Sequence, residues 1–477
     1  MQVKLLQPEY DRSKLRPRIL HLGFGAFARA HTMQYLDAGL TAQGGDWGAI
    51  VVRLNSGAAA LSALDSVADQ YHIAEADDDS LTLQRIDAVI GSCHPRRDGI
   101  KVLLAYFATP DLSVVTLTIT EKGYCARDGE LATNHPGIRA DLGTPKEPGT
   151  AVGVLVGGLQ ARRQAGLGGI TILSCDNQPE NGRLTRVVVS DFAQLVDPDL
   201  ATWITENVTF PCSMVDRIVP AMDEKSDILI TELLGTPDPN AIVCEPFRQW
   251  VIEDDFAAGA PPFAAGGAQL VQDVRPYEDM KLRMLNGAHS FLACLGAICG
   301  KTTIADCMQQ PELKHAAHRL MLLEQAPTLP PLSGVDLVGY ADALIARFGN
   351  RRLDHRTTQI ASDTSQKVPQ RMLASVTWHL QHDHPFPLLA TGLAGWMLYA
   401  RGVDEAGDGL PLLDPLADKL RTAALADDPV GAFLALRAVF PEDLAADARF
   451  ETALRNAYGQ LLKLGVLATL SAMENTA

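Results

Sequence analysis

The chain has no C-x-x-C pair, no basic run and no apolar stretch approaching a membrane span. Its eight cysteines stand at 93, 125, 175, 212, 244, 294, 299 and 307. That spacing offers neither a disulfide framework nor a zinc site, and Cys93-His94 is the only Cys/His neighbour pair. The expectation is a disulfide-poor cytoplasmic protein with no metal. The opening segment, MQVKLLQPEYDRSKLRPR, contains no continuous apolar core of a secretion signal. The most apolar helical stretch, Phe291–Cys299, falls far short of the ~20 residues that span a bilayer.

Positive charge is also in short supply. Lys and Arg number 41 against 57 Asp and Glu, a formal net charge of −16 over 477 residues. An acidic chain without a basic cluster is a poor partner for nucleic acid, whose binding rests on neutralised phosphates. Small anions stay admissible, because a local site can be positive on an acidic protein. With 47% hydrophobic and 21% charged residues the chain has globular composition.

The first half alternates β-rich runs with helix-like stretches. Ile19–Leu22, Ala49–Leu54, Leu112–Thr120 and Gly169–Ser174 are near-continuous in Val, Ile, Leu and Thr. Such runs predict strands buried on both faces of a parallel sheet, with Arg29–Leu40 and Thr150–Ala165 as crossover helices. Beyond about residue 278 the pattern is helical: Glu278–Cys299, Glu312–Gln325, Gly339–Phe348, Arg371–Gln381 and Arg449–Leu464. The fold class is α/β: an α/β domain with a parallel sheet over 1–279, then a mainly helical domain over 280–477.

Gly23-Phe24-Gly25-Ala26-Phe27-Ala28 follows the first strand and opens a helix, a G-x-G-x-x-A form of the dinucleotide fingerprint. Gly23 permits the tight turn, Gly25 lets the backbone approach a pyrophosphate, and Ala28 allows close packing. An acid holding the ribose 2′-hydroxyl belongs at the end of the second strand. Here that strand ends Arg53-Leu54-Asn55-Ser56-Gly57, with no acid. Asn55 or Ser56 can bond the hydroxyl, and Arg53 can pair with a 2′-phosphate or simply be solvated. The choice between NAD and NADP stays open.

Two further segments carry polar groups suited to chemistry. Ser174-Cys175-Asp176-Asn177 leaves the end of a predicted strand, where ligands gather in sheets of this type. In Glu278–His289, ideal helical spacing puts Glu278 at ~60°, His289 at ~80° and Asn286 at ~140° from Lys281. Four polar groups thus share one broad face of an otherwise apolar helix. Tyr277-x-x-x-Lys281 also fits the Tyr/Lys pair of short-chain dehydrogenases. However, position 264 is Ala where a serine is needed, and the opening turn lacks the T-G-x-x-x-G-x-G form.

These residues resemble those of the long-chain polyol dehydrogenases, the mannitol dehydrogenase family. The resemblance runs through His21–His31, Leu117–Tyr124, Ser174–Asn177, Met214–Pro220, Cys244–Trp250 and the Lys281-x4-Asn286-x2-His289 element. It implies zinc-independent hydride transfer with a nicotinamide cofactor, NAD with NADP not excluded, on a Rossmann-type dinucleotide-binding domain over 1–279 and a mainly helical substrate and catalytic domain over 280–477. Lys281 would be the general base, Asn177 and Asn286 the donors to the oxyanion, His289 the orienting group and Glu278 the proton relay. Gly23, Phe24, Gly25, Ala26, Phe27, Arg53, Asn55, Thr120 and Glu121 are the expected cofactor residues, and by the same resemblance Asp216 lies near the cofactor and Lys367 near the substrate. The family's F-H-R-A-H stretch is altered, with Ala28 in place of the histidine.

Within the family, Glu245–Asp254, Lys281–Gly287, Glu324–Leu329 and Ser365–Arg371 look closest to the fructuronate reductases, which act on sugar acids. A sugar-acid carboxylate wants a cation of matched geometry. Arg283, Arg356, Lys367 and Arg371 are the candidates. A neutral polyol, oxidised to a 2-ketose, is the alternative substrate class, and a non-catalytic dinucleotide sensor is a third reading. The expected partner is a small molecule, and the oligomeric state is open.

Overall fold

The computed structural model describes residues 3–78, 80–332, 334–353 and 355–474. The chain divides into two compact units, Met1–Arg275 and Pro276–Ala477. In the first, five parallel strands form the central sheet: β1 (Arg16–Leu22), β2 (Trp47–Val52), β3 (Val89–Cys93), β4 (Val114–Leu117) and β5 (Thr171–Ser174). Their order is β5-β4-β1-β2-β3. The chain therefore reverses direction of winding between β1 and β4, the switch point beside which α/β sheets of this order bind ligands. Residues 19–22 and 114–117 are buried throughout, as strands covered by helices on both faces require.

The buried strand β1 carries one imidazole. His21 shares hydrogen bonds with Thr116 Oγ1 (2.8 Å) and Thr118 Oγ1 (3.1 Å). Burial pushes its pKa down to about 4, so it sits in the sheet as a neutral ring.

Two other sheets complete this unit. Val3–Leu6, Leu81–Ile86, Tyr71–Ala76 and Ile242–Cys244 form one, and Ser213–Asp216, Gln249–Glu253 and Gln269–Val271 form the other. Residues 257–267, dense in Ala, Gly and Pro, lie between the last two of these strands and pack on the helix that follows β1.

Several predicted elements differ in detail. The strand expected over Leu112–Thr120 is only four residues, because Asp176 captures the amides of Ile119 (3.0 Å) and Thr120 (2.9 Å) and bends the chain away. Thr120 takes φ +62° there. The helix expected over Arg29–Leu40 is two, α1 (Ala26–Ala30) and α2 (Thr32–Gln43), broken at His31 with φ −121° and ψ −78°. His31 stacks on Phe27 and donates from Nε2 to the Gln249 carbonyl (3.0 Å), a contact that a continuous helix would not hold in place. The crossover helix α3 (Ala151–Gln164) is capped by Thr150, whose hydroxyl accepts from the Gly153 amide.

The second unit is helical, and among its described residues only isolated bridges stand outside the helices. Its organising element runs from 275 to 298, as Arg275–Met280, a π-helical segment Lys281–Gly287, and Ala288–Ile298. Two more π segments, Leu320–Gln325 and Pro369–Leu373, lie against it. All three meet at Gly287, where an added Cβ would fall 2.2 Å from Gln325 Nε2 and 3.0 Å from the Arg371 carbonyl oxygen. The apolar core gathers around residues 284–298 and the helix Pro387–Tyr399, with Phe291, Leu295 and Trp396 fully buried. None of the described helices is long and apolar enough to cross a membrane.

Glu324 secures this arrangement. Its buried carboxylate accepts from the amides of Leu388 (2.8 Å) and Leu389 (2.7 Å), opening the helix Pro387–Tyr399. Burial raises its pKa from 4.5 to about 7 against the lowering effect of those amides. Between those values the folded chain holds the proton more tightly than the unfolded chain. The stabilisation from this group is therefore full below about pH 4.5 and is lost as pH rises through about 7. Glu324→Gln should flatten that part of the slope; urea midpoints at pH 5 and pH 7 measure it, and an unchanged difference between them would remove Glu324 as the cause.

Candidate active site

At the switch point the first unit carries a cleft of about 420 Å³. Its floor is the glycine turn. Gly23 has φ +101°, and a Cβ there would sit 2.1 Å from the Thr118 carbonyl oxygen, so no other residue fits. The amides of Gly23 and Phe24 both donate to the Val52 carbonyl (2.9 and 3.0 Å), and Thr118 Oγ1 donates to the Gly23 carbonyl (2.6 Å). Gly25 caps α1 and leaves the amides of its first turn without helical acceptors. A bare backbone groove at a strand-to-helix turn is what an incoming diphosphate needs.

Of the predicted cofactor residues, Gly23, Phe24, Gly25, Arg53 and Asn55 line this cleft. Ala26, Phe27, Thr120, Glu121 and Asp216 are not among its lining residues. Ala26 opens α1, and Phe27 is committed to its stack with His31 at 4.7 Å. Thr120 is held by Asp176 through its amide, and Glu121 is exposed in the turn that follows. Asp216 ends a strand of the three-stranded sheet and is buried there. Ala28 is completely buried in the core, so the histidine of the family pattern has no space in this chain.

The far wall was missed in the sequence. Thr118, Lys122, His135 and Thr150 line it. Thr118 was findable as the residue after β4; Lys122 and His135 lie in turns with no pattern of their own. Among the lining residues there is no carboxylate. Asp176 lies beyond the lining residues as a clamp, accepting from Tyr124 Oη (2.7 Å) as well as from the two amides. Burial holds its pKa above the ordinary carboxylate range. Asn177, the next residue, is exposed beyond the end of β5.

In the second unit the π segment changes the face arithmetic, which assumed an unbroken α-helix. A π turn bonds i to i+5, so residues five apart stand as residues four apart do in an α-helix. Lys281 and Asn286 are five apart and span the segment. Lys281 is buried, and Glu278 and Asn286 are half-buried. His289 stacks on Phe348 at 4.5 Å with His355 at 5.8 Å. Its buried Nε2 has no hydrogen-bond partner among the described residues. Burial first, then His355, Arg347 and Arg371, drive its pKa well below the ordinary value, so the ring is neutral.

The four candidate cations separate. Arg371 belongs to the third π segment and donates from Nη1 to Ser290 Oγ (2.9 Å) and toward the Asn286 carbonyl (3.4 Å). It is the cation that joins the helix of Lys281, and burial lowers its pKa to about 10. Lys367 stands one turn earlier and donates to the Ser362 carbonyl (2.6 Å); burial and Arg371 lower its pKa. Arg283, expected beside Asn286 on the strength of its spacing, turns the other way. It donates to the carbonyl and hydroxyl of Thr328 and pairs with Asp279 one helical turn back (3.3 Å). Its guanidinium thus ties the π segment to the turn at Thr328. Arg356 is exposed at the start of the short helix Thr357–Ile360.

Residues 17–265 match the mannitol dehydrogenase Rossmann domain, and residues 273–462 match the mannitol dehydrogenase C-terminal domain. The chain is 48% identical to the uncharacterized oxidoreductase YdfI of Escherichia coli, covering 99% of this chain and 98% of that one. It is 46% identical to the D-mannonate oxidoreductase of the same organism, over 98% of each. Among solved structures, the ternary complex of Pseudomonas fluorescens mannitol 2-dehydrogenase with NAD and D-mannitol superposes with a TM-score of 0.80 at 32% identity, covering 99% of this chain and 97% of that one. Both units are thus accounted for, and the chain belongs to the mannitol dehydrogenase family of oxidoreductases.

Proposed function

We propose that the protein is an NAD-dependent secondary-alcohol dehydrogenase that interconverts a sugar acid and its keto form, D-mannonate and D-fructuronate. The first domain, 1–279, holds the cofactor, and the second, 280–477, the substrate. The observation that carries the acid substrate is Arg371, a half-buried guanidinium bonded along the helix of Lys281 and Asn286. The D-mannonate oxidoreductase at 46% identity supports the same class. A cytoplasmic location agrees with eight free thiols, seven of them buried.

The glycine turn, Arg53, Asn55, Thr118 and Thr150 would hold the dinucleotide, and their backbone-lined, carboxylate-free groove fits its diphosphate. When bound, the nicotinamide takes a hydride from the carbinol carbon or returns one to the ketone. Lys281 Nζ takes the alcohol proton in oxidation and gives it back in reduction. Asn286 donates to that oxygen, stabilising alkoxide character without adding a group that titrates. Glu278 passes the proton between Lys281 and solvent. His289, neutral and half-buried, donates or accepts one hydrogen bond to a substrate hydroxyl through its buried Nε2, and so fixes orientation. Arg371 meets the carboxylate.

The test is reduction of fructuronate, tagaturonate, fructose and xylulose with NADH. Fructuronate should lead fructose in kcat/KM by about tenfold to a hundredfold, the worth of one charge-assisted hydrogen bond. Arg371→Ala should erase most of that lead, and Arg283→Ala should leave it standing. Strong activity on fructose with none on fructuronate would return the neutral-polyol reading.

A further inference from the structure

The cleft of the first unit is positive in a chain whose net charge is −16. Arg53 and Lys122 line it, and no lining residue is Asp or Glu. In a dinucleotide fold the end of the second strand selects between cofactors: a carboxylate accepts from the ribose 2′-hydroxyl and repels a 2′-phosphate, whereas an arginine does the reverse. Strand β2 ends at Val52, and the next residues are Arg53, Leu54, Asn55 and Ser56, all lining the cleft.

The arginine is positioned and does not trail into solvent. Its Nε donates to the Phe24 carbonyl at 2.7 Å, which ties it to the glycine turn. Its guanidinium lies across Gly57, where φ is +88° and a Cβ would come 2.4 Å from Nη1. The guanidinium therefore sits over the turn at Gly57, and Asn55 and Ser56 line the same cleft. No hydrogen bond within the described chain engages the guanidinium's terminal amino groups. A planar fork with its inner nitrogen anchored and its outer nitrogens presented is suited to a phosphate.

We infer that this cleft admits the 2′-phosphorylated dinucleotide as well as NAD, and that Arg53 is the specificity-determining residue, with Ser56 as a second donor. The inference rests on the reading of the cleft as a dinucleotide site, and the experiment separates the two.

Calorimetric titration of the full-length protein with adenosine 2′,5′-bisphosphate and with adenosine 5′-monophosphate needs no turnover. The bisphosphate should bind about tenfold more tightly, as one added charge-assisted contact predicts. Arg53→Ala should remove most of that advantage. Asn55→Asp should reverse it, by setting a carboxylate where the phosphate goes while Arg53 keeps its anchor. Binding of the monophosphate with no gain from the second phosphate overturns this inference alone, as does a gain that survives both substitutions. Binding of neither nucleotide overturns both readings.

Discussion

Lys281→Ala should lower turnover by about 10³-fold, within the range that positioned acid–base groups contribute. The lysine is buried in the π segment that also carries Asn286. In its absence no other lysine stands within that segment to take the proton. Nucleotide affinity, a property of the first unit, should persist, so the loss should fall on kcat in single-turnover hydride transfer. Added methylamine should restore part of the rate to this variant and none to Asn286→Ala, because only the first lacks the amine that moves the proton. Turnover within a few-fold of the parent would withdraw the assignment of Lys281 as acid–base group. Glu278→Gln should have a smaller effect, confined to the proton exchange with solvent, and should show as a shifted pH profile.

Arg217→Ala should cost the first unit about 3–5 kcal/mol, the usual penalty for breaking a buried ion pair from one side. The Arg217 side chain is fully buried against Glu75 at 2.5 Å. It also donates to the Ala30 and Glu245 carbonyls and to Gln34 Oε1. Those partners come from α1, α2, a strand of the second sheet and the turn after Ile242–Cys244. One guanidinium therefore joins the fingerprint helix to the smaller sheet. Removing it leaves the half-buried Glu75 carboxylate to the Gln34 amide (2.8 Å) and takes the donor from three further acceptors. A urea titration followed through the first unit's transition measures the loss. Less than about 1 kcal/mol, the value of an exposed pair, would show that the network rearranges around the gap.

The strands and the glycine turn were legible because their signals are local: continuous β-branched runs, and glycine where φ must be positive. The Lys281 helix was legible for the same reason, through polar groups spaced on an apolar background. Where the expectation failed, the cause was a partner far off in the chain. Asp176 shortens β4 from more than fifty residues away. His31 breaks a helix for a carbonyl at position 249. Arg283 lies three residues before Asn286 and turns from it to Thr328, while Arg371, eighty-five residues on, comes back to it. The π segments have no compositional mark, since Lys281–Gly287 differs from an ordinary helix only in which carbonyl each amide meets.

That segment has a bearing on how the chain tolerates changes of length. A π turn holds one residue more than the α turn it replaces. Deleting one residue between 282 and 285 would let the helix close as continuous α. Everything after the deletion would then keep roughly its orientation to what precedes it, because four residues of α-helix cover about the arc that five cover in the wider turn. Asn286 and His289 would keep both their identity and their direction, and Gly287 would still face Gln325 and the Arg371 carbonyl. The stretch therefore absorbs the loss of one residue without a change of phase, whereas a second deletion, with no surplus residue left to remove, would turn everything beyond it by about 100°.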